Sequence, residues 1–423
     1  MLQQIEIGKS QFLEMHVLHS QGAENYSSEV TIPPVQGDTA VLEFELITSN
    51  RRLEEVLSEQ VGDDTYAIDT EFANQRTYYP RLSLVQIAWV DRVVLIDPFV
   101  VDGRLLESLL EGPAIAIAHS AQNDLEVLDH SLGIRPRQLF DTQIAALLIN
   151  SEGLSLQHLT STLLGVTLDK AQQNQDWTRR PLSERALQYA ASDVAYLFEL
   201  ADRLQTSLEE RSRLKALEEE CESLLNANFA PLEPERAWWR ISGRETIPAD
   251  ARLFAAHLAK VREELAEQLD VPKRKLLRDE HLIALATSPP RSLGNLKSRL
   301  NRTGIEDRDI PLFFQAIEDA RNGKDAHLIS TERNGEREDL RPIISKLQGV
   351  VTEIATREEI NQGFLASRKD LIARLTGDPS KLDAAWRKPL VTDAIDAIIL
   401  QWREGHSEES ATGLHKPEGD SSL

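Results

Sequence analysis

Ala67-Ile68-Asp69-Thr70-Glu71-Phe72 is an apolar run interrupted by two acids two positions apart. Alternate residues of a strand point to the same face, so Asp69 and Glu71 would project side by side. Their repulsion opposes folding unless a cation lies between them. A hard divalent ion that prefers oxygen, Mg²⁺ or Mn²⁺, suits such a pair. Taken alone, the pair reads more readily as the polar end of a strand.

Working outward, Tyr66 to Phe72, Ser83 to Val90 and Val93 to Phe99 read as three strands, the last two joined tightly through Asp91-Arg92. Leu105 to Leu110 is a helix candidate. Ala114 to Ser120 reads as a buried strand, followed by a helix from Asp124 to Leu132 that Gly133 closes. Helical patterns continue at Thr142 to Ile149, at Leu156 to Leu164 before Gly165, and from Ser183 to Glu210, where Ser183 is a natural cap behind Pro181. A meander followed by alternating helices and strands predicts an α/β domain with a mixed sheet flanked by helices.

Beyond Asn228 strand patterns vanish, and Pro231 and Pro234 mark a linker. Helical patterns follow at Asp250 to Leu269, His281 to Ala286, Leu293 to Leu300 and Pro311 to Asn322. After a polar stretch from Gly323 to Glu338 they resume at Leu340 to Ala355, Arg357 to Ser367, Arg368 to Leu375 and Leu390 to Trp402. The expected division is a poorly ordered extension over 1–40, an α/β domain over 41–227, all-helical domains over 228–325 and 326–404, and a disordered tail over 405–423. The two helical blocks, similar in size, hint at a diverged repeat.

Two further acids join the first pair. Asp124 opens a helix just past an apolar strand, where a first-turn acid also suits the helix dipole. Tyr189 and Asp193, four apart in Tyr189-Ala190-Ala191-Ser192-Asp193, share one helical face, and the alanines allow close approach of neighbouring structure. A tyrosine beside a metal could orient or deprotonate water; a buried tyrosine bonded to a carboxylate is the other reading.

The 423 residues are 41% apolar and carry a formal net charge of −22. Such charge repels phosphate at long range, so any nucleic acid must be held by local basic patches and by cations. The single cysteine, Cys221, excludes an internal disulfide and a cysteine-based zinc cluster. No membrane span or secretory signal is visible, and the expected address is the cytoplasm.

In order and context the four acids resemble the DEDDy exonuclease superfamily, most closely the ribonuclease D family. The resemblance runs from Leu42 to Arg203 through Ile68 to Phe72, Leu84-Val85-Gln86-Ile87, Leu95-Ile96-Asp97-Pro98, His119-Ser120, Asn123-Asp124-Leu125, Phe140-Asp141-Thr142-Gln143, and Trp177 through Pro181-Leu182-Ser183 to Asp193. It implies an RNase H-like sheet holding two divalent ions. Asp69 would bridge both, Glu71 and Asp193 would complete one site, and Asp124 would contribute to the other. Tyr189 would position water for attack on the terminal phosphodiester, releasing nucleoside 5′-monophosphates one at a time. The implied partner is RNA with a free 3′ end, tRNA precursors by family expectation, acted on by a monomer.

Lesser candidates surround this set. Phe72 could pack on the terminal base or belong to the core. His119 could contact substrate or be a hydrogen-bonded structural histidine. Gln86 and Asn123 face or flank the expected site, and Arg179 and Arg180 could clamp phosphates or solvate a surface. Between Lys273 and Arg302 lie eight basic residues and two acids, including Lys273, Arg274, Lys275, Arg278 and Lys297; this is a phosphate track or a solvated helical face. The same block resembles an HRDC domain through Leu269-Asp270-Val271-Pro272, Leu276 to Glu280 and Leu282 to Ala286. Phe364 to Arg368 and Ala385 to Leu390 resemble a second, diverged HRDC-like domain. The alternatives left open are a DNA 3′→5′ exonuclease and a non-catalytic RNA-binding adaptor.

Overall fold

The computed structural model describes residues 42–73, 76–168, 175–229, 233–329 and 340–412, with backbone alone at 245 and 405–412. The expected 1–40 extension, the linker at Pro231, most of the 323–338 linker and the last part of the tail lie outside the described residues.

The first domain is a mixed six-stranded sheet flanked by helices. Its elements begin with β1 (Glu45–Ile47), α1 (Asn50–Glu59), β2 (Thr65–Ala73), β3 (Arg81–Trp89) and β4 (Arg92–Ile96). Next come α2 (Glu107–Leu110), β5 (Ile115–Ala118), α3 (Gln122–Leu132), β6 (Gln138–Asp141), α4 (Thr142–Leu148) and α5 (Leu156–Leu159). Three helices close the domain: α6 (Glu184–Ala195), α7 (Leu197–Glu210) and α8 (Leu214–Leu225). The strand order is β1-β4-β3-β2-β5-β6. β2, β3 and β4 form the antiparallel meander, while β1, β5 and β6 pair parallel.

Several expectations need correction. β1 and β6 carried no strand signal, because ELI and QLFD lack the unbroken apolar run of β5 and are stabilised by pairing with β4 and β5. The helix expected from Ser183 to Glu210 is two helices. Tyr196, with φ −105° and ψ 2°, turns the chain between them, and Ser183 does cap the first by accepting from Ala186 N–H at 3.2 Å.

The helical part contains α9 (Arg252–Gln268), α10 (Lys273–Leu276), α11 (Asp279–Thr287), α12 (Leu293–Leu300) and α13 (Ile310–Arg321). The final block is α14 (Arg341–Glu358), α15 (Gln362–Leu365), α16 (Arg368–Thr376) and α17 (Asp393–Thr412). Arg357 therefore lies in the last turn of α14 and does not start a helix of its own; Glu359, at φ 49°, ends the helix. α17 also runs past the expected boundary at 404. With no proline before Pro417, a packed helix propagates into the polar stretch at little cost.

The cores divide the molecule differently from the sequence. Leu347, Val351, Leu365, Leu371 and Ile395 of the final block belong to one buried cluster with Leu148, Leu204 and Leu217 of the α/β domain. The middle block has its own core around Trp238, Leu258, Leu282 and Phe313. Arg387, fully buried, fastens the final block: it donates to the carbonyls of Leu365 (3.0 Å) and Phe364 (2.8 Å) and pairs with Glu220 of α8. The indole N–H of Trp386 reaches the same Glu220 at 2.9 Å. Substituting Glu220→Ala leaves a buried guanidinium without its counter-charge, and the expected loss is about 3 kcal/mol of unfolding free energy in urea titrations. A loss below about 0.5 kcal/mol would mean that this pair does not hold the two blocks together.

Candidate active site

The face of β2 that carries Asp69 and Glu71 is set by its register with β3, where Asp69 lies opposite Gln86 and Glu71 opposite Leu84. Helix α6 packs over this face. Ala186, Ala190 and Ala191, all fully buried, join Leu84, Leu95, Trp177 and Tyr189 in a separate cluster between helix and sheet. Small side chains bring the helix close. One carboxylate oxygen from each of Asp69, Glu71 and Asp193 falls within 4.8 Å of the others.

Asp124 stands beside this trio. From the first turn of α3 its Oδ1 accepts the Thr70 backbone N–H at 3.1 Å and the Thr70 hydroxyl at 2.5 Å. Asp141 fixes where that helix begins: its carboxylate accepts from the N–H groups of Ser120 (3.1 Å) and Ala121 (2.8 Å), and of Gln143 (2.8 Å) and Ile144 (3.2 Å). A buried aspartate thus ties the β5–α3 turn, where Ser120 has φ 62°, to the start of α4. Its role is that of a cap, and an aspartate just ahead of a helical pattern was the available signal.

Crowding dominates the electrostatics. Burial, then the Asp193 charge, holds the Asp69 carboxyl well above the usual carboxylate range. Burial and the charges of Asp69, Asp193 and Asp124 push Glu71 up to about 10. Burial raises Asp193 to about 7 against the opposing hydrogen bond from Tyr189. Burial, then the Asp69 charge, raises Asp124. Tyr189 is raised as well, by burial and then by the charges of Asp193 and Glu71. Without a cation it is therefore a phenol bonded to a carboxylate. Four crowded acids, Asp124 and Asp193 buried and Asp69 and Glu71 half-buried, fit a hard divalent ion, since an all-oxygen donor set is what such ions take and their charge removes the repulsion.

Asp69, Tyr189 and Asp193 line a cleft of about 210 Å³ with His119, Ser155, Leu156, Gln157 and Leu197. The last four escaped the sequence reading, because only tertiary packing carries the start of α5 and of α7 to this wall. His119 is held on the Thr142 hydroxyl at 2.9 Å, and burial lowers its pKa. Gln86 is fully buried beside Asp69, and neither of its amide atoms has a partner among the described residues. Phe72 is half-buried against the main core, while Asn123 and Arg179 are exposed.

Arg180 is a correction. It forms a two-pronged pair with Asp97 at 2.6 and 2.8 Å, donates to the carbonyls of Ser83 and Trp177, and lies 4.4 Å over the Phe99 ring. Its donors are occupied within the fold, so it is not a phosphate clamp. The expected basic patch is also smaller than its residue count: Lys297 pairs with Asp307 at 2.5 Å and Lys273 with Glu263 at 3.5 Å, while Arg274, Lys275 and Arg278 are exposed.

A 3′-5′ exonuclease family profile matches residues 44–209, and an HRDC domain profile matches 252–315. Ribonuclease D of Xanthomonas oryzae is 34% identical over 314 residues, covering 72% of this chain and 84% of that protein. Ribonuclease D of Bartonella henselae is 30% identical over 336 residues, covering 78% and 82%. The chain belongs to the ribonuclease D family. The crystal structure of Escherichia coli RNase D, an exoribonuclease involved in structured RNA processing, superposes with a TM-score of 0.73 at 27% identity, covering 85% of this chain and all of that one. The chain is accordingly a 3′→5′ exoribonuclease of the ribonuclease D type, favoured over a DNA exonuclease or an adaptor. Ribonuclease D catalysis rests on divalent metal, and the acidic cluster is present. No helix among the described residues is long and apolar enough to cross a membrane.

The raised carboxyls make metal and pH act together. A raised folded-state pKa contributes stability that is complete below the unfolded value near 4 and is lost as pH rises through the folded value. Through Asp193, at about 7 in the fold, metal-free protein should therefore lose stability from about pH 4 to about pH 7, the loss from this group levelling off above that. The gain in Tm on adding Mn²⁺ should be larger at the higher pH, because the ion needs the deprotonated acids. Asp193→Asn should raise the metal-free Tm at about pH 8 by about 3 °C and remove most of the Mn²⁺ gain. Thermal unfolding with chelator or Mn²⁺ checks this; a Tm gain independent of pH contradicts it.

Proposed function

We propose that Asp69, Glu71 and Asp193 hold one divalent ion and that Asp69 and Asp124 hold a second, the ions being Mg²⁺ or Mn²⁺. The observation that carries this reading is the convergence of three carboxylates within 4.8 Å on a cleft that Tyr189 also lines. Bound there, the ions would lower the pKa of water and stabilise charge on the phosphate and on the departing oxygen.

The remaining work falls to the chain's own residues. The Tyr189 hydroxyl, released from Asp193, orients the attacking water in line with the terminal phosphodiester. The water oxygen bonds to phosphorus and gives up a proton to solvent, the bond to the 3′ oxygen breaks, and that oxygen takes a proton from solvent. The products are a nucleoside 5′-monophosphate and a chain one nucleotide shorter with a new 3′-hydroxyl.

Phe72 packs on the terminal base, while His119 and Asn123 meet its sugar and phosphate. Gln86, opposite Asp69 in the sheet, turns its amide toward the substrate side, and Arg179 takes a backbone phosphate. Arg274, Lys275 and Arg278, with Lys273 and Lys297 at the margins, hold the RNA upstream of its end. The substrates are structured RNAs with a free 3′ end, precursors of tRNA among them, processed by a monomer in the cytoplasm.

The test is a metal-dependent assay on 3′-tailed RNA. Asp69→Asn should reduce kcat by at least about 10³-fold and Tyr189→Phe by about 10²-fold. RNA trimming that survives Asp69→Asn refutes the site.

A further inference from the structure

The connection from β2 to β3 leaves the sheet at the end where Asp69 and Glu71 project, and it meets α9. The Tyr78 N–H donates to Asp270 Oδ1 at 3.0 Å, and the Tyr78 hydroxyl donates to Glu263 Oε1 at 2.7 Å. The Tyr79 hydroxyl donates to Glu267. Glu263, Glu267 and Asp270 are spaced four and three apart, so one acidic face of α9 and its end is met by two consecutive tyrosines. The Tyr79 ring stacks on His130 of α3 with centroids 3.7 Å apart, and Tyr78 packs edge-on against Tyr79 at 4.8 Å. Arg76 ties the same connection to Asp176 at 3.2 Å.

Glu263 joins this contact to the basic run. One oxygen takes the Tyr78 hydroxyl, and the other takes the ammonium of Lys273, the first residue of α10. Exposed Arg274 and Lys275 follow at once. Of these acids Glu263 is buried, while Glu267 and Asp270 stay exposed, so the tyrosines fasten the two parts without hiding the charge of that face. The local cations that a strand could meet beside it are Arg274, Lys275 and Arg278, all exposed.

We propose that Tyr78 and Tyr79 are positioning residues: they hold the HRDC domain at the catalytic edge so that Arg274, Lys275 and Arg278 guide a long RNA into the cleft. This rests on the reading above that these basic residues hold RNA. The two tyrosines touch neither substrate nor the carboxylates of Asp69, Glu71, Asp124 and Asp193, so their effect depends on substrate length.

The test uses the full chain and measures kcat and KM on a 3′-tailed RNA hairpin and on a short oligoribonucleotide, with metal present. Four proteins are compared: wild type, Tyr78→Phe with Tyr79→Phe, Arg274→Ala with Lys275→Ala and Arg278→Ala, and all five changes together. The tyrosine variant should raise KM for the hairpin about tenfold, with kcat within about twofold and the short RNA unaffected. The combined protein should be no worse than the arginine–lysine variant alone, because guides that are out of place have nothing left to lose. Hairpin KM unchanged in the tyrosine variant but raised in the arginine–lysine variant overturns the positioning role alone. Equal losses on both RNAs, or additive losses in the combined protein, also overturn it. Hairpin KM unchanged in the arginine–lysine variant overturns the guiding patch, and the positioning role with it.

Discussion

Negative charge held where it does not want to be is the constraint around which the rest of the molecule is arranged. Asp69 and Glu71 are adjacent because a strand gives them no choice, and Asp193 joins them because α6 lies against β2 on alanines. In water such carboxylates would separate. Here the sheet and helix are stiff enough to keep them together and raise their proton affinity. A bound cation relieves this strain, so affinity for metal and the cost of the empty site have one physical origin.

Much of the surrounding polar structure serves to keep that arrangement rigid. Asp141 caps α4 and pins the turn into α3, which places Asp124, and Thr70 then takes the Asp124 carboxylate with both its N–H and its hydroxyl. Arg180, locked on Asp97 and stacked on Phe99, anchors the chain just before α6. Each of these contacts limits how far an acid can retreat from its neighbours.

The two helical blocks are attached in physically different ways. The final block shares a continuous apolar core with the α/β domain and is sealed by the buried Arg387–Glu220 pair. The middle block keeps its own core and meets the catalytic edge through tyrosine hydroxyls and carboxylates. In a chain of net charge −22, those contacts engage three acids of the middle block, and Arg274, Lys275 and Arg278 beside them stay exposed. Local arrangement, more than overall charge, decides where a polyanion can approach.

The order of the acids, the strand that pairs Asp69 with Glu71, the face shared by Tyr189 and Asp193, and most helix positions were legible in the sequence, because periodicity and spacing are local properties. β1 and β6 were not, since each lacks an unbroken apolar run and is defined by its neighbours. Nor was the break at Tyr196, because an unbroken helical pattern does not report a turn imposed by packing. Arg180 reads as a free cation until Asp97 arrives from 83 positions away. Residue identity and spacing decided which groups could do the chemistry. Only the tertiary structure decided which of them meet, which are already occupied, and which helical block shares the core of the α/β domain, because those depend on contacts between segments far apart in the chain.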